Sequence, residues 1–299
     1  MSGVSVVTVV RGRRAHLERQ GWGLRAQTVA PRRWIVVHLG GPAVDDLVGR
    51  SGIPATIISM PVADGDPLPL AAARNAGIAE LEEDDTVVLL DVDVIPHRQL
   101  LARYHEAVEL VGGVVAGPVR YLPPGVPVDE AGLAELARHG SPHPARPVPA
   151  DGELLPEERW ELLWTLSLAA RAGALRGIGG FDERYVGYGA EDTDFAMRAR
   201  SAGLRLHWVG GAWGYHQHHE STYRDQVPDV VRNARLFRSI WGWWPMAGWL
   251  GELAAAGAVR WDPDGETLER ATSDRAAGAA GGFDDTLSRE FEASYPATA

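Results

Sequence analysis

Apolar and polar positions follow two rhythms along the 299 residues of the chain. Continuous apolar, often β-branched runs occupy 4–10, 34–39, 55–59, 86–90 and 113–117, the length and composition of strands buried on both faces. Between them, 15–26 places Leu17 and Leu24 on one helical face, and 70–81 and 97–108 supply two further helices. This alternation predicts a wound, largely parallel sheet with helices packed on it.

The rhythm breaks at 121–156, which is loaded with proline and glycine and holds one helix-like segment, 128–138. It predicts a surface excursion of the kind that forms a mobile flap. Order returns with a strand at 162–169, then a helix from Glu191 with Phe195, Ala199 and Ala202 at i, i+4 and i+7. Gly203 ends that helix, and 204–209 forms another strand. An amphipathic helix is predicted at 228–241, where Val230, Ala234, Phe237 and Trp241 share a face. It runs into the most aromatic segment of the chain, with Trp241, Trp243, Trp244 and Trp249. The expected organisation is a catalytic-type domain over 1–225, a helical extension over 226–261 and a flexible tail over 262–299.

Composition narrows what this fold can do. A formal charge of −11 argues against a general nucleic-acid binder, and the tail alone holds nine acids against three arginines. The chain has no cysteine, which removes disulfides, thiolate nucleophiles and cysteine-held metals. It also has no lysine, all 29 cationic side chains being arginine, which removes Schiff-base chemistry and a P-loop lysine. The glycine fingerprint of dinucleotide folds is missing after the first strand. With neither a signal-type segment nor a long apolar run, the expected location is the cytoplasm.

Chemistry concentrates where the central strand ends, at Leu89-Leu90-Asp91-Val92-Asp93. Residues i and i+2 of a strand share a face roughly 7 Å apart. Two carboxylates so placed repel unless a cation or proton sits between them, and that edge of a parallel sheet is where ligands bind. Taken alone, the pair is equally a turn capping the next helix. Two further clusters fall at helix starts or strand ends: Glu191, Asp192 and Asp194, then His216, His218 and His219.

The pieces Ser5-Val-Val-Thr-Val-Val, Ala73-Arg-Asn-Ala-Gly, Leu89-Leu-Asp-Val-Asp, Gly179-Gly-Phe-Asp-Glu, Gly187-Tyr-Gly-Ala-Glu-Asp-Thr-Asp and Tyr215-His216 resemble inverting glycosyltransferases of family 2. Residues from Gly179 onward are also similar to a segment shared by galactosyltransferases. The resemblance implies a GT-A, Rossmann-like α/β domain with a central mixed, mostly parallel sheet flanked by helices, followed by the helical extension. It implies transfer of a hexose from a nucleoside-diphosphate donor, with UDP-sugar favoured. The acceptor is a hydroxyl on a carbohydrate, a lipid-linked sugar or a small molecule.

On the same resemblance, Asp93 and a histidine hold Mn²⁺ or Mg²⁺, with Asp91, His216 and His218 as the other candidate ligands. Asp91 alternatively meets the ribose. Asp192 is the expected general base, and Tyr188 and Glu191 contact acceptor or donor sugar. Gly180 and Gly189 belong to the substrate-facing loops, Arg74 and Asn75 contact the nucleotide, and Thr8 and Arg11 line the base pocket. The second strand lacks the acids that such enzymes often carry, leaving Asp64 or Asp66 as stand-ins. Two rivals are a degenerate nucleotide-sugar-binding protein and a haloacid-dehalogenase-type phosphatase. The phosphatase motif belongs on the first strand and needs a later basic residue, commonly lysine. For the tryptophans, the expectations are packing of the C-terminal helix or an aromatic platform. The platform, with Arg232, Arg235 and Arg238, would favour peripheral contact with anionic membrane.

Overall fold

A computed structural model describes residues 3–219 and 223–271. The elements run β1 (Val4–Val10), α1 (Arg14–Arg25), β2 (Arg33–His38), α2 (Asp45–Arg50), β3 (Ala55–Ser59), α3 (Leu70–Ala79) and β4 (Thr86–Leu90). Then come β5 (Val94–Pro96), α4 (Leu100–Val111), β6 (Val114–Ala116), β7 (Val119–Tyr121), β8 (Ser141–Pro142) and β9 (Leu154–Pro156). β10 (Ser167–Arg171), α5 (Ala172–Gly177), α6 (Glu191–Ser201), β11 (Leu206–Val209) and β12 (Gly214–His216) follow. α7 (Tyr223–Trp241), α8 (Ala247–Ala255), β13 (Val259–Trp261) and β14 (Leu268–Arg270) close the described chain.

The main sheet has the order β3-β2-β1-β4-β10-β6-β11-β9. Its first four strands are parallel, as the alternating pattern predicts. β10 enters antiparallel between β4 and β6, so the sheet is mixed. Period-two alternation sends side chains to opposite layers. Val7, Ile35 and Leu89 pack with α3 and α6 residues such as Ile78 and Phe195. Val6, Trp34 and Val88 pack with Leu17 of α1 and Tyr104 of α4. Every residue of β4 is buried, which places the carboxyl end of that strand in the middle of the fold.

A second sheet, β5-β12-β7-β8, stands beyond that end. It accounts for part of the expected excursion, because β7 and β8 pair antiparallel across it and β9 joins the main sheet. The helix expected at 128–138 is a 3-10 turn over Leu133–Arg138 only. The strand expected at 162–169 is displaced to Ser167–Arg171, and Trp160–Leu162 forms another 3-10 turn. Trp160, Leu162 and Leu163 are buried there, so the apolar run marked core rather than strand.

The extension forms its own small core. Val230, Trp244, Trp249, Leu250, Val259 and Leu268 pack together, and β13 pairs with β14. The boundary expected at 262 therefore falls inside a hairpin; residues 272–299 of the expected tail lie outside the described residues. Trp244 donates to the Asp262 and Gly265 carbonyls at 3.1 Å. Trp241 donates to Asp194 Oδ1 at 2.9 Å, and Trp249 packs edge-on against Tyr188. Packing explains these three, and only Trp243 is exposed, at 39 %. Trp244→Ala is expected to destabilise the protein by about 3–5 kcal/mol in urea unfolding, the usual cost of deleting a buried tryptophan. Trp243→Ala is expected to cost less than about 1.5 kcal/mol; equal losses would contradict this assignment. No helix among the described residues is long and apolar enough to cross a membrane.

Candidate active site

β4 ends at Asp91, and the chain turns at once, with the Val94 N–H donating to the Asp91 carbonyl at 2.9 Å. β5 then pairs antiparallel with β12, with Val94 opposite His216. The Gln217 N–H donates to the Asp93 carbonyl at 2.7 Å. This register joins two motifs more than a hundred residues apart. Gln20 of α1 holds the turn from beneath, donating to the Asp91 and Val94 carbonyls at 2.8 and 3.0 Å.

Ligand-type atoms of Asp93, His216 and His219 lie within 4.8 Å of one another. His219 therefore takes the position expected of His218, which is outside the cluster; the His218 carbonyl instead faces His16 Nε2 at 3.4 Å. Asp91 is outside it as well, its carboxylate accepting from Arg74 at 3.3 Å. The Asp93, His216 and His219 group fits a divalent cation in chemistry: one carboxylate and two imidazoles are donors that first-row divalent metals take. Asp93 Oδ1 is buried and makes no hydrogen bond. Desolvation, helped by His219 and Arg13, pushes the His216 pKa down to about 3, so its imidazole is neutral and able to ligate. Arg13 donates to Asp93 Oδ2 and its Nη2 lies 3.4 Å from His219 Nδ1. The guanidinium supplies the positive charge that this carboxylate requires.

Arg74 ties the two acidic motifs together. One terminal nitrogen donates to Asp91 and the other to Glu191 at 3.2 Å. Burial works against its charge, but Asp91 and Glu191 outweigh that and hold it firmly protonated. Asp192 follows Glu191 on the first turn of α6, and its Oδ1 accepts the Thr193 N–H at 2.8 Å. Burial, reinforced by Glu191 and opposed by Arg74, pushes the Asp192 carboxyl up to about 7. A carboxyl so raised is suited to proton transfer near neutrality.

The loop before α6 is held from the extension. Asn233 of α7 donates to the Val186 and Tyr188 carbonyls at 3.1 and 3.2 Å. Gly187 has φ +78°, and a Cβ there would lie 2.0 Å from Asp229, so close packing under α7 requires glycine. Tyr188 is 41 % exposed. Among the described residues, the three non-glycine residues with positive φ are Arg13, Ala190 and Met246. Arg13 and Ala190 sit beside the acidic motifs and Met246 is the near neighbour of Gly189. Strain therefore collects around the cleft.

Several expected substrate contacts serve the scaffold. Thr8 is fully buried, donating to Gln20 and accepting from Trp34, so it does not line a pocket. Asn75 donates to the Phe181 carbonyl and Glu183 and accepts from the Phe181 N–H, which fastens the Gly180 loop. Gly180 is glycine because a Cβ would meet Asn75 at 2.4 Å. Arg11 donates to Asp64 at 2.8 Å, which puts an acid at the edge of β1. Sequence reading missed Arg13, His16 and Gln20 as site residues; their signal is only their position after the first strand and along one turn-bearing helix.

The architecture is that of a GT-A-like glycosyltransferase fold. Residues 156–222 match the family model described as the N-terminal domain of galactosyltransferase. A pre-mycofactocin glycosyltransferase of Mycobacterium tuberculosis is 30% identical over 238 residues, covering 78% of this chain and 46% of that protein. A validoxylamine A glucosyltransferase of Streptomyces hygroscopicus subsp. jinggangensis is 31% identical over 78 residues, 26% of this chain and 18% of that protein. The chain thus spans less than half the length of these relatives. Among solved structures, residues 1–349 of S. aureus TarS superpose with TM-score 0.54 at 17% identity, covering 78% of this chain and 64% of that one. The same protein in complex with UDP gives 0.53 at 16% identity.

Proposed function

We propose that the chain is a divalent-cation-dependent, inverting glycosyltransferase that moves a sugar from a UDP-sugar to an acceptor hydroxyl. The observation that carries this reading is the Asp93, His216 and His219 cluster in the same cleft as the raised carboxyl of Asp192. The glycosyltransferase relatives and the UDP complex of TarS support the class of donor. A divalent cation bound by Asp93, His216 and His219 would supply Lewis-acid stabilisation of the departing nucleoside diphosphate. Asp192 takes the proton of the attacking hydroxyl on Oδ2, while Thr193 keeps Oδ1 fixed. Arg74 holds Asp91 and Glu191 in place against their mutual repulsion, and Tyr188 faces the incoming sugar from the held loop. The acceptor is a carbohydrate or small molecule.

Calorimetric titration of UDP and GDP with and without Mn²⁺ tests the donor. UDP is expected to bind more tightly than GDP and to need the metal; metal-independent UDP binding would remove the cation. Slow Mn²⁺-dependent hydrolysis of a UDP-sugar would distinguish a live transferase from a binding protein. Arg13 and a cation share the Asp93 carboxylate, so Arg13→Ala is expected to raise Mn²⁺ affinity. The gain is up to about fivefold, the ceiling for a partly exposed ion pair. It is read by titrating the metal alone, and an unchanged affinity would separate Arg13 from the cation site.

A further inference from the structure

The excursion carries a group that neither the donor nor the cation uses. Arg146 is 5 % exposed, yet none of its three guanidinium nitrogens makes a well-formed hydrogen bond, although the Tyr121 phenol lies close by. The side chain lies between two indoles, 4.9 Å from the Trp164 ring centre and 4.6 Å from that of Trp208. The groups that face it with negative or potentially negative charge are Tyr121, Tyr104 and Asp192. Trp208 donates its own N–H to Glu157 at 3.0 Å, so neither that indole nor that carboxylate is spare.

His143 completes the pattern. It is 2 % exposed and packs edge-on against Trp164, with ring centres 4.9 Å apart. Its Nδ1 accepts the Ala145 N–H at 3.1 Å, which fixes the proton on Nε2. That nitrogen is buried without a partner. Burial and the nearby arginine push this imidazole down to about 4, so at neutral pH it is an uncharged N–H donor. One charged and one neutral donor group therefore flank Trp164, and the Tyr121 phenol is the oxygen that reaches the guanidinium. An unpaired buried cation is costly. Asp192 is among the groups whose charge acts on Arg146, and an anion arriving with the substrate would give the guanidinium a full partner.

We infer that Arg146 and His143 form an anion-binding subsite that takes a carboxylate or phosphate group of the acceptor. The two tryptophans lie over the guanidinium, so an anion would have to meet its edge, where arginine binds carboxylate or phosphate bidentately. The inference rests on the proposed transferase reading, because Asp192 is what assigns the anion to the acceptor. A carboxylate on the donor sugar is the other source of the same chemistry.

Tryptophan fluorescence of the full chain, titrated with D-glucuronate, glucose 6-phosphate and neutral glucose at constant ionic strength, reads the subsite directly through Trp164 and Trp208. Saturable responses to one or both anions and none to glucose are expected. Arg146→Met is expected to weaken them at least about tenfold, His143→Gln less. Since Met replaces a buried cation that has no carboxylate partner among the described residues, the thermal midpoint of Arg146→Met should be unchanged or higher. UDP binding with Mn²⁺ should be unchanged in both variants. An anion response that persists in Arg146→Met overturns the inference; should that variant fail to fold, an unchanged response in His143→Gln does so. If Arg146→Met instead abolishes a preference for UDP-glucuronate over UDP-glucose, the anion belongs to the donor and the acceptor assignment is overturned. Loss of UDP binding in the native protein would count against the transferase reading itself, independently of these responses.

Discussion

Asp192→Asn is expected to lower sugar transfer by about 10²–10⁴-fold, the usual contribution of a positioned general base, with UDP binding within about twofold of native. Asparagine keeps the size of the side chain and can still accept the Thr193 N–H, but it cannot take a proton. The pH profile should show the same group. With the Asp192 carboxyl raised to about 7 by burial and by Glu191, transfer should fall on the acid side of neutrality as the base becomes protonated. Stability should move the other way. A carboxyl whose folded pKa is raised binds its proton more tightly folded than unfolded, so it opposes folding increasingly as pH rises from the ordinary carboxylate range towards 7. Native protein should therefore lose stability over that window relative to Asp192→Asn, and the variant should be no less stable at pH 8. Near-native transfer by a folded Asp192→Asn protein would end the assignment.

The second large effect is expected at Asp93. Asp93→Asn removes the one carboxylate in the cluster with His216 and His219. UDP affinity in Mn²⁺ should drop to the value measured without metal, by at least the 10–100-fold that losing even an outer-sphere partner of a metal typically costs, that is on the order of 1.4–2.8 kcal/mol. Arg13 loses its partner as well, but its side chain is 38 % exposed and can turn to water, so thermal stability should change little. Calorimetry with and without Mn²⁺ separates the two readings. If Asp93→Asn and native protein bind UDP alike in metal, Asp93 holds only Arg13.

What the sequence showed follows from how much surface each segment buries. β1 and β4 match the expected runs residue for residue because strands covered on both faces must be apolar throughout; β3 matches its run as well, although it is the half-exposed edge strand. β5, β7 and β12 have three residues each, too few to show a period, so the second sheet was invisible although it carries His216. α8 was hidden because Gly248 and Gly251 interrupt the segment and tryptophans mask any stripe. Asp93, Asp192 and His216 stand out in the sequence as acids and an imidazole at strand ends and a helix start, but only the resemblance gave them expected roles. Of the expected ligands Asp91, Asp93, His216 and His218, the structure groups Asp93 and His216 and adds His219. Beyond His216 the strand has ended, so strand register does not say which of the two adjacent histidines turns toward Asp93. Arg13 left no mark of its own among the arginines of this lysine-free chain, and only the fold shows the carboxylate and carbonyl partners of Arg74 and Asn75.

The hold that Asn233 and Trp249 keep on the Tyr188 loop has a consequence for the order of assembly. A nascent chain that has emerged through residue 219 already contains Asp93, His216, His219 and Asp192. The loop in front of Asp192 still lacks both of its props, which arrive only with α7 and α8. Domains mature from the amino terminus as synthesis proceeds, so the nucleotide end of the cleft sets first and its reactive loop last. Damage to the C-terminal helices should therefore appear as slow or incomplete gain of transfer activity in newly made protein that already binds UDP.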